Sequence, residues 1–198
     1  MSTVLKTVLL LAAVVALAVV PRRAGGTLLP FLEMEELTGI SDLIVLGKVE
    51  SVESGWTEGR SRIRTRVTLE VEEVFVGSLE GEKLTIVLPG GYVAEENLRQ
   101  VIPGIPEFEV GEETIVFLRK DESLLCPVAG WVQGKFEVIA EAGTGRKVVV
   151  DRLGKYRRYA ARKGEAEKEK RLGEGEAVSI EEFAAAIAEI QGKKGNGK

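Results

Sequence analysis

Glycine and proline cut the middle of this chain into short apolar runs, and that punctuation is its strongest constraint on folding. Pro89-Gly90-Gly91, Pro103-Gly104-Ile105-Pro106 and Gly111 separate one run from the next, and Gln133-Gly134-Lys135-Phe136 opens another. Helices are broken by such spacing, whereas a curled antiparallel sheet needs turns at these intervals. The predicted fold class is therefore mainly β, a small antiparallel barrel with a short amino-terminal helix and a carboxy-terminal amphipathic helix.

Periodicity places the elements. Residues 32–42 carry helical spacing that Gly39 would stop. Leu43 to Ser54 reads as a strand whose alternation breaks around Gly47, the mark of a bulge. After a turn at 55–61, Ile63, Thr65, Val67, Leu69 and Val71 alternate with Arg62, Arg64, Arg66, Thr68, Glu70 and Glu72, giving one core face and one wet face. Lys83 to Leu88 is a short strand, and residues 92–106 form a connection too long to be a simple turn. Thr114 to Leu118 is almost continuously apolar, as expected of a strand buried on both sides. Leu124 to Val132, Gln133 to Ala140 and Lys147 to Val150 complete the predicted strands. Ser179 and Glu182 form a capping box ahead of Phe183, Ile187 and Ile190, which share a helical face that should dock on the sheet before Gly192 ends the helix.

Five segments result: a signal peptide or anchor at 1–26, the β-domain at 27–151, a charged linker at 152–178, a docking helix at 179–192 and a tail at 193–198. Thr7 to Val20 carries no charge and follows Lys6. As a helix it would rise about 21 Å, short of the roughly 30 Å hydrocarbon core, so it reads as an export signal. Ala16-Leu17-Ala18 offers small residues for cleavage, although it sits inside the apolar run. The expected location is periplasmic, extracellular or cell-surface. An uncleaved membrane anchor at 7–20 and a buried core helix are the alternatives.

Composition removes several kinds of chemistry. With no histidine in the chain, catalysis by Ser-His-Asp or Cys-His sets and imidazole metal ligation are excluded. Cys126 is the single cysteine, so no intramolecular disulfide forms, and its apolar surroundings mark it as a small core residue. The formal charge is −4 even though Lys6, Arg22 and Arg23 add three cations near the start, which disfavours nucleic acid as a partner. The basic run from Lys155 to Lys163 is best explained by solvation or contact with the acidic β-domain. Glu112-Glu113, taken as neighbours in a strand, should point to opposite faces and not share a substrate atom. Gly90-Gly91 has no following Lys-Ser/Thr and no helix, so it reads as a turn and not as a phosphate cradle. No cofactor or metal is expected.

The residues left for recognition lie in the long loop and a neighbouring turn: Tyr92, Glu95, Glu96 and Phe108, with Trp56. Glu95 and Glu96 offer a cation site as a lesser reading, and Trp131 reads as core or rim packing.

Three groups of residues carry a resemblance. Ser41-Asp42-Leu43-Ile44-Val45-Leu46-Gly47-Lys48-Val49, then Thr65 to Gly77, then Gly111-Glu112-Glu113 to Leu118 with Gln133-Gly134-Lys135-Phe136, resemble a group of uncharacterised secreted bacterial proteins. Their order is also similar to the OB-like barrel of netrin and tissue-inhibitor-of-metalloproteinase modules, over about residues 41–140. That resemblance implies an OB-like fold. It does not carry over zinc-site inhibition, which in those inhibitors needs an amino-terminal cysteine, whereas Cys126 is internal. The expected function is a non-enzymatic exported module that binds a protein or cell-surface polymer through residues 89–108. The alternatives are a hydrolase using carboxylates alone and a membrane-anchored structural component.

Overall fold

The structure, a computed structural model, describes residues 30–121, 123–141, 143–150 and 178–195. The export or anchor segment, residues 152–177 of the expected linker and residues 196–198 lie outside them. Among the described residues no helix is long and apolar enough to cross a membrane.

Helix α1, Met34–Ile40, begins at Glu33, whose backbone N–H donates to Glu36 Oε2 at 3.0 Å in a capping box. Strands β1, Leu43–Trp56, and β2, Ile63–Val76, form a long antiparallel hairpin. Strand β3, Lys83–Pro89, returns along β2. A separate small hairpin follows, β4, Gly91–Val93, with β5, Leu98–Gln100. Strand β6, Glu113–Leu118, pairs with the other edge of β1. Then come β7, Lys135–Ala140, β8, Lys147–Val150, β9, Val178–Ser179, and helix α2, Ile180–Gly195. The main sheet has the order β3-β2-β1-β6-β7-β8-β9, antiparallel throughout. The mainly β class and both helices are as expected, while the ladder stays open at β3 and β9 and does not close into a barrel.

The curl of the sheet originates in β1. Its register against β2 shifts at Ile44/Val45, Leu46/Gly47 and Val49/Ser51, and each irregularity adds local twist. Gly47 serves the second of these, because a Cβ there would lie 2.6 Å from the Glu70 carbonyl oxygen.

Two cores share the central strands. On one face Ile44, Leu46, Ile115, Phe117, Phe136 and Val138 pack beneath Met34 and Leu37 of α1 and Phe183, Ile187 and Ile190 of α2. Phe117, Phe136 and Phe183 form a ring cluster with centroids 5.1–6.3 Å apart, geometry that adds edge-to-face attraction to area burial. On the concave face Leu43, Val45, Val49, Val67, Leu69, Val116 and Leu118 pack with Cys126 and Val128. β6 therefore contributes Ile115 and Phe117 to one core and Val116 and Leu118 to the other, which accounts for its unbroken apolar run.

The capping box of α2 is formed as predicted: Glu182 N–H donates to Ser179 Oγ at 3.2 Å, and Ser179 N–H to Glu182 Oε2 at 3.0 Å. Gly192 does not end the helix, which runs to Gly195, so 193–195 are helical and not tail. The strand expected at 124–132 is also absent. Pro127 has no N–H to give a ladder and Gly130 takes a φ of 61°, so the segment makes a single bridge, Leu118 with Val128, and a 3-10 turn at Trp131–Gly134. Trp131 packs partly buried against the concave core.

Candidate functional site

The segment between β3 and β6 folds back over the concave face. Its β4–β5 hairpin turns through Asn97 in the left-handed region, and Gly90 N–H donates to the Ile63 carbonyl at 2.9 Å. Thr65 Oγ1 donates to the Gly90 carbonyl at 2.7 Å and lies 2.8 Å from Ser54 Oγ. Gly91 has a φ of 140°, and a Cβ on it would fall 2.3 Å from Thr65 Oγ1 and 2.4 Å from Ser54 Oγ. Close backbone approach, in addition to the turn, thus explains the glycine pair.

This fold-back leaves a groove of about 310 Å³, with Val52, Ser54, Thr65 and Val67 on the sheet side and Tyr92, Ile105 and Phe108 on the loop side. Arg99, Gln100, Glu107 and Glu109 add polar and charged groups to its aliphatic and aromatic wall. Val132 N–H donates to the Gly104 carbonyl at 2.8 Å and pins the far side of the loop.

A clasp holds the hairpin tip. Trp56 Nε1–H donates to Glu96 Oε1 at 2.9 Å, Arg60 donates to the same oxygen at 2.5 Å, and the Arg60 guanidinium lies 5.1 Å from the Trp56 ring centre. The Arg60 hydrogen bond first, and the Trp56 N–H after it, hold the Glu96 carboxyl below its ordinary range. Trp56 is the last residue of β1 and not part of the turn expected at 55–61; its backbone pairs with Ile63.

The structure thus brings together Trp56 and Glu96, which the sequence named without connecting. Tyr92 is 43 % exposed, donates its hydroxyl to Asn97 Oδ1 at 3.0 Å and carries the Arg99 guanidinium 5.7 Å from its ring centre. Glu95 is exposed at the hairpin tip. Phe108 is only 8 % exposed and belongs to the concave core, so it forms the inner wall of the groove. Arg60, Arg99 and Asn97 were missed. Arg60 and Asn97 adopt positive φ, which residue type alone does not announce.

A second cleft, of about 610 Å³, lies across the 107–109 segment. Glu72, Glu107, Glu109, Glu112, Glu113 and Glu137 line it with Lys48 and Lys135. Glu112 and Glu113 both line this cleft as the charged entrance to β6 after the turn at Gly111, with β6 starting at Glu113. Each meets a different lysine. Lys135 Nζ lies 2.7 Å from Glu112 Oε1, donates to the Glu107 carbonyl at 2.6 Å and sits 4.7 Å from the Phe108 ring centre. Lys147 Nζ bonds Glu113 and lies 3.6 Å from Glu72. The Glu113 hydrogen bond is the main reason the Lys147 ammonium is raised above its ordinary range. Among the described residues no cluster of three or more acidic or cysteine side chains is arranged to hold a metal ion. Comparison with protein-family models, curated proteins and solved structures finds no match to the chain.

Proposed function

We propose that this chain is an exported, non-enzymatic β-module that binds a protein or cell-surface polymer in the groove under residues 89–108. The observation that carries the reading is the fold-back itself: a long Gly/Pro segment held over a groove of mixed apolar and polar lining with a Ser54/Thr65 floor, clasped at its tip by Trp56, Arg60 and Glu96. Long loops held over a rigid sheet are common recognition devices. The resemblance to secreted OB-like modules fits the same reading. The apolar run at 7–20 supports export.

The test is a binding panel of peptidoglycan, chitin, neutral glycans and a secreted-protein fraction, run beside chromogenic glycosides. Wild-type protein is expected to retain one panel member without releasing product, and Gly91→Val and Ile105→Glu to lose it. Turnover by wild type that survives both substitutions sinks the reading. Mass spectrometry of the secreted protein is expected to find a chain that has lost the apolar run, and an intact Met1 would instead favour the membrane-anchored component.

The acidic cleft favours one second reading, a hydrolase using carboxylates alone, since six glutamates line a single cavity. Against it, Glu112 and Glu113 are already held by Lys135 and Lys147. Product release abolished by Glu109→Gln or Glu137→Gln would establish it.

A further inference from the structure

The wet face of β2 carries Arg64 and Arg66 in alternate positions, about 7 Å apart by strand geometry, and Arg62 immediately precedes the strand. Thr65 and Val67, between and beside them, face the groove, so the arginines occupy the opposite side of the same arm. Helices α1 and α2 cover the other end of the sheet and leave this end bare: Arg62 and Arg66 are exposed, as are Thr85 and Val87 of the neighbouring β3, and Arg64 is half-buried. Among the described residues, none of the three guanidiniums makes an ion pair or a side-chain hydrogen bond. The nearest acids by register and sequence are Glu53, directly opposite Arg66, and Glu58 in the adjoining turn; Glu96 is taken by Arg60.

Three neighbouring like charges without a partner among the described residues repel one another, and their placement in an acidic chain concentrates positive potential on one strip. Guanidinium forks match carboxylate and sulfate oxygens bidentately. Among the described residues the strip has no stacking platform of the kind that supplies much of the affinity for single-stranded nucleic acid: the exposed neighbours Thr85 and Val87 are not aromatic, and Trp56 already carries Arg60.

We propose that this strip, Arg62, Arg64 and Arg66, binds a linear acidic polysaccharide along β2. The surface is separate from the groove, so it goes beyond the reading above and can fail or hold independently of it.

The experiment measures binding of the full chain to alginate, a uronate polymer, and to heparin, a sulfated one, with neutral dextran and single-stranded DNA alongside, across a salt series. Wild type is expected to bind one or both acidic glycans with strong salt dependence and to ignore dextran, the alginate and heparin arms separating carboxylate from sulfate recognition. Arg62→Gln/Arg64→Gln/Arg66→Gln is expected to weaken glycan binding about tenfold or more and to flatten the salt slope, while Lys193→Gln, which removes a cation from α2, leaves it unchanged. Arg66→Gln alone, at an exposed position, keeps the test valid if the triple variant fails a thermal-unfolding check, and is expected to weaken binding about twofold to fivefold. Three results overturn the proposal: triple-variant binding equal to wild type; loss of binding caused instead by Arg157→Gln/Arg158→Gln/Arg162→Gln; or tighter binding of single-stranded DNA than of either glycan.

Discussion

The two ends of the β1–β2 hairpin differ in how they are covered. Near Leu43 and Val76 both faces of the sheet are covered, by the helices on one side and the concave core on the other. Toward Trp56 and Ile63 the concave face is roofed, among the described residues, by the 89–108 fold-back, and on the opposite face Arg62 and Arg66 are exposed and Arg64 is half-buried. The same strands are therefore closely packed at one end, the scaffold end, and more open at the other, which under the proposed function is the display end. Stability should be concentrated in the first end and, under the proposed function, recognition in the second.

The largest expected effect breaks the scaffold end. Phe183 is fully buried against Phe117 and Phe136, so Phe183→Ala should cost about 3–5 kcal/mol in chemical unfolding. If it cost as little as an arm substitution, the contrast between the two ends would collapse.

Next comes the concave core. Burial pushes the Cys126 thiol from its ordinary 9.0 up to about 11. The thiol is held neutral in the folded chain while the unfolded chain ionises from about pH 9. Stability is thus full below that pH and declines between pH 9 and 11, by about 2–3 kcal/mol over the window. Unfolding curves for wild type and Cys126→Ala at pH 8 and pH 11 check this, the variant being expected to lack the alkaline loss attributable to the thiol. Thiol labelling at pH 8 should be slow in the folded protein and fast in denaturant.

Smaller again is the cap on α2. Ser179→Ala removes the acceptor for Glu182 N–H and should cost about 1 kcal/mol, read as a lower unfolding midpoint with an unchanged denaturant slope.

The smallest stability effect belongs to the display end. Glu96→Gln should leave global unfolding almost unchanged yet alter Trp56 fluorescence by loosening the clasp. Because the Glu96 carboxyl is held below its ordinary 4.5, the clasp persists in mild acid and opens only as pH falls through that lowered value. A fluorescence titration that shows the same transition in wild type and Glu96→Gln would remove Glu96 as its origin.

Much of the scaffold end was legible in the sequence. Period-two alternation marked β2, an unbroken apolar run marked the doubly covered β6, and Ser179 with Glu182 marked the start of α2, because these signals are local. The strand expected at 124–132 failed for a non-local reason: its apolar residues fill the concave core without joining the ladder, since Pro127 and Gly130 deny the backbone geometry. The display end was legible only in part. Residues 89–108 stood out by composition, but nothing local joins Glu96 to Trp56 and Arg60, forty and thirty-six positions away.

The position of α2 in the chain has a consequence for timing. Phe183, Ala186, Ile187 and Ile190 complete the core over α1, β1, β6 and β7, all of which precede them in synthesis. Until those four residues emerge, Phe117 and Phe136 have no lid and the helix-side core is only half made. Contacts of such long sequence separation form late, so folding stays incomplete while the earlier strands are already outside the ribosome. The helix-side core therefore depends on the chain being made through Ile190 before it can close.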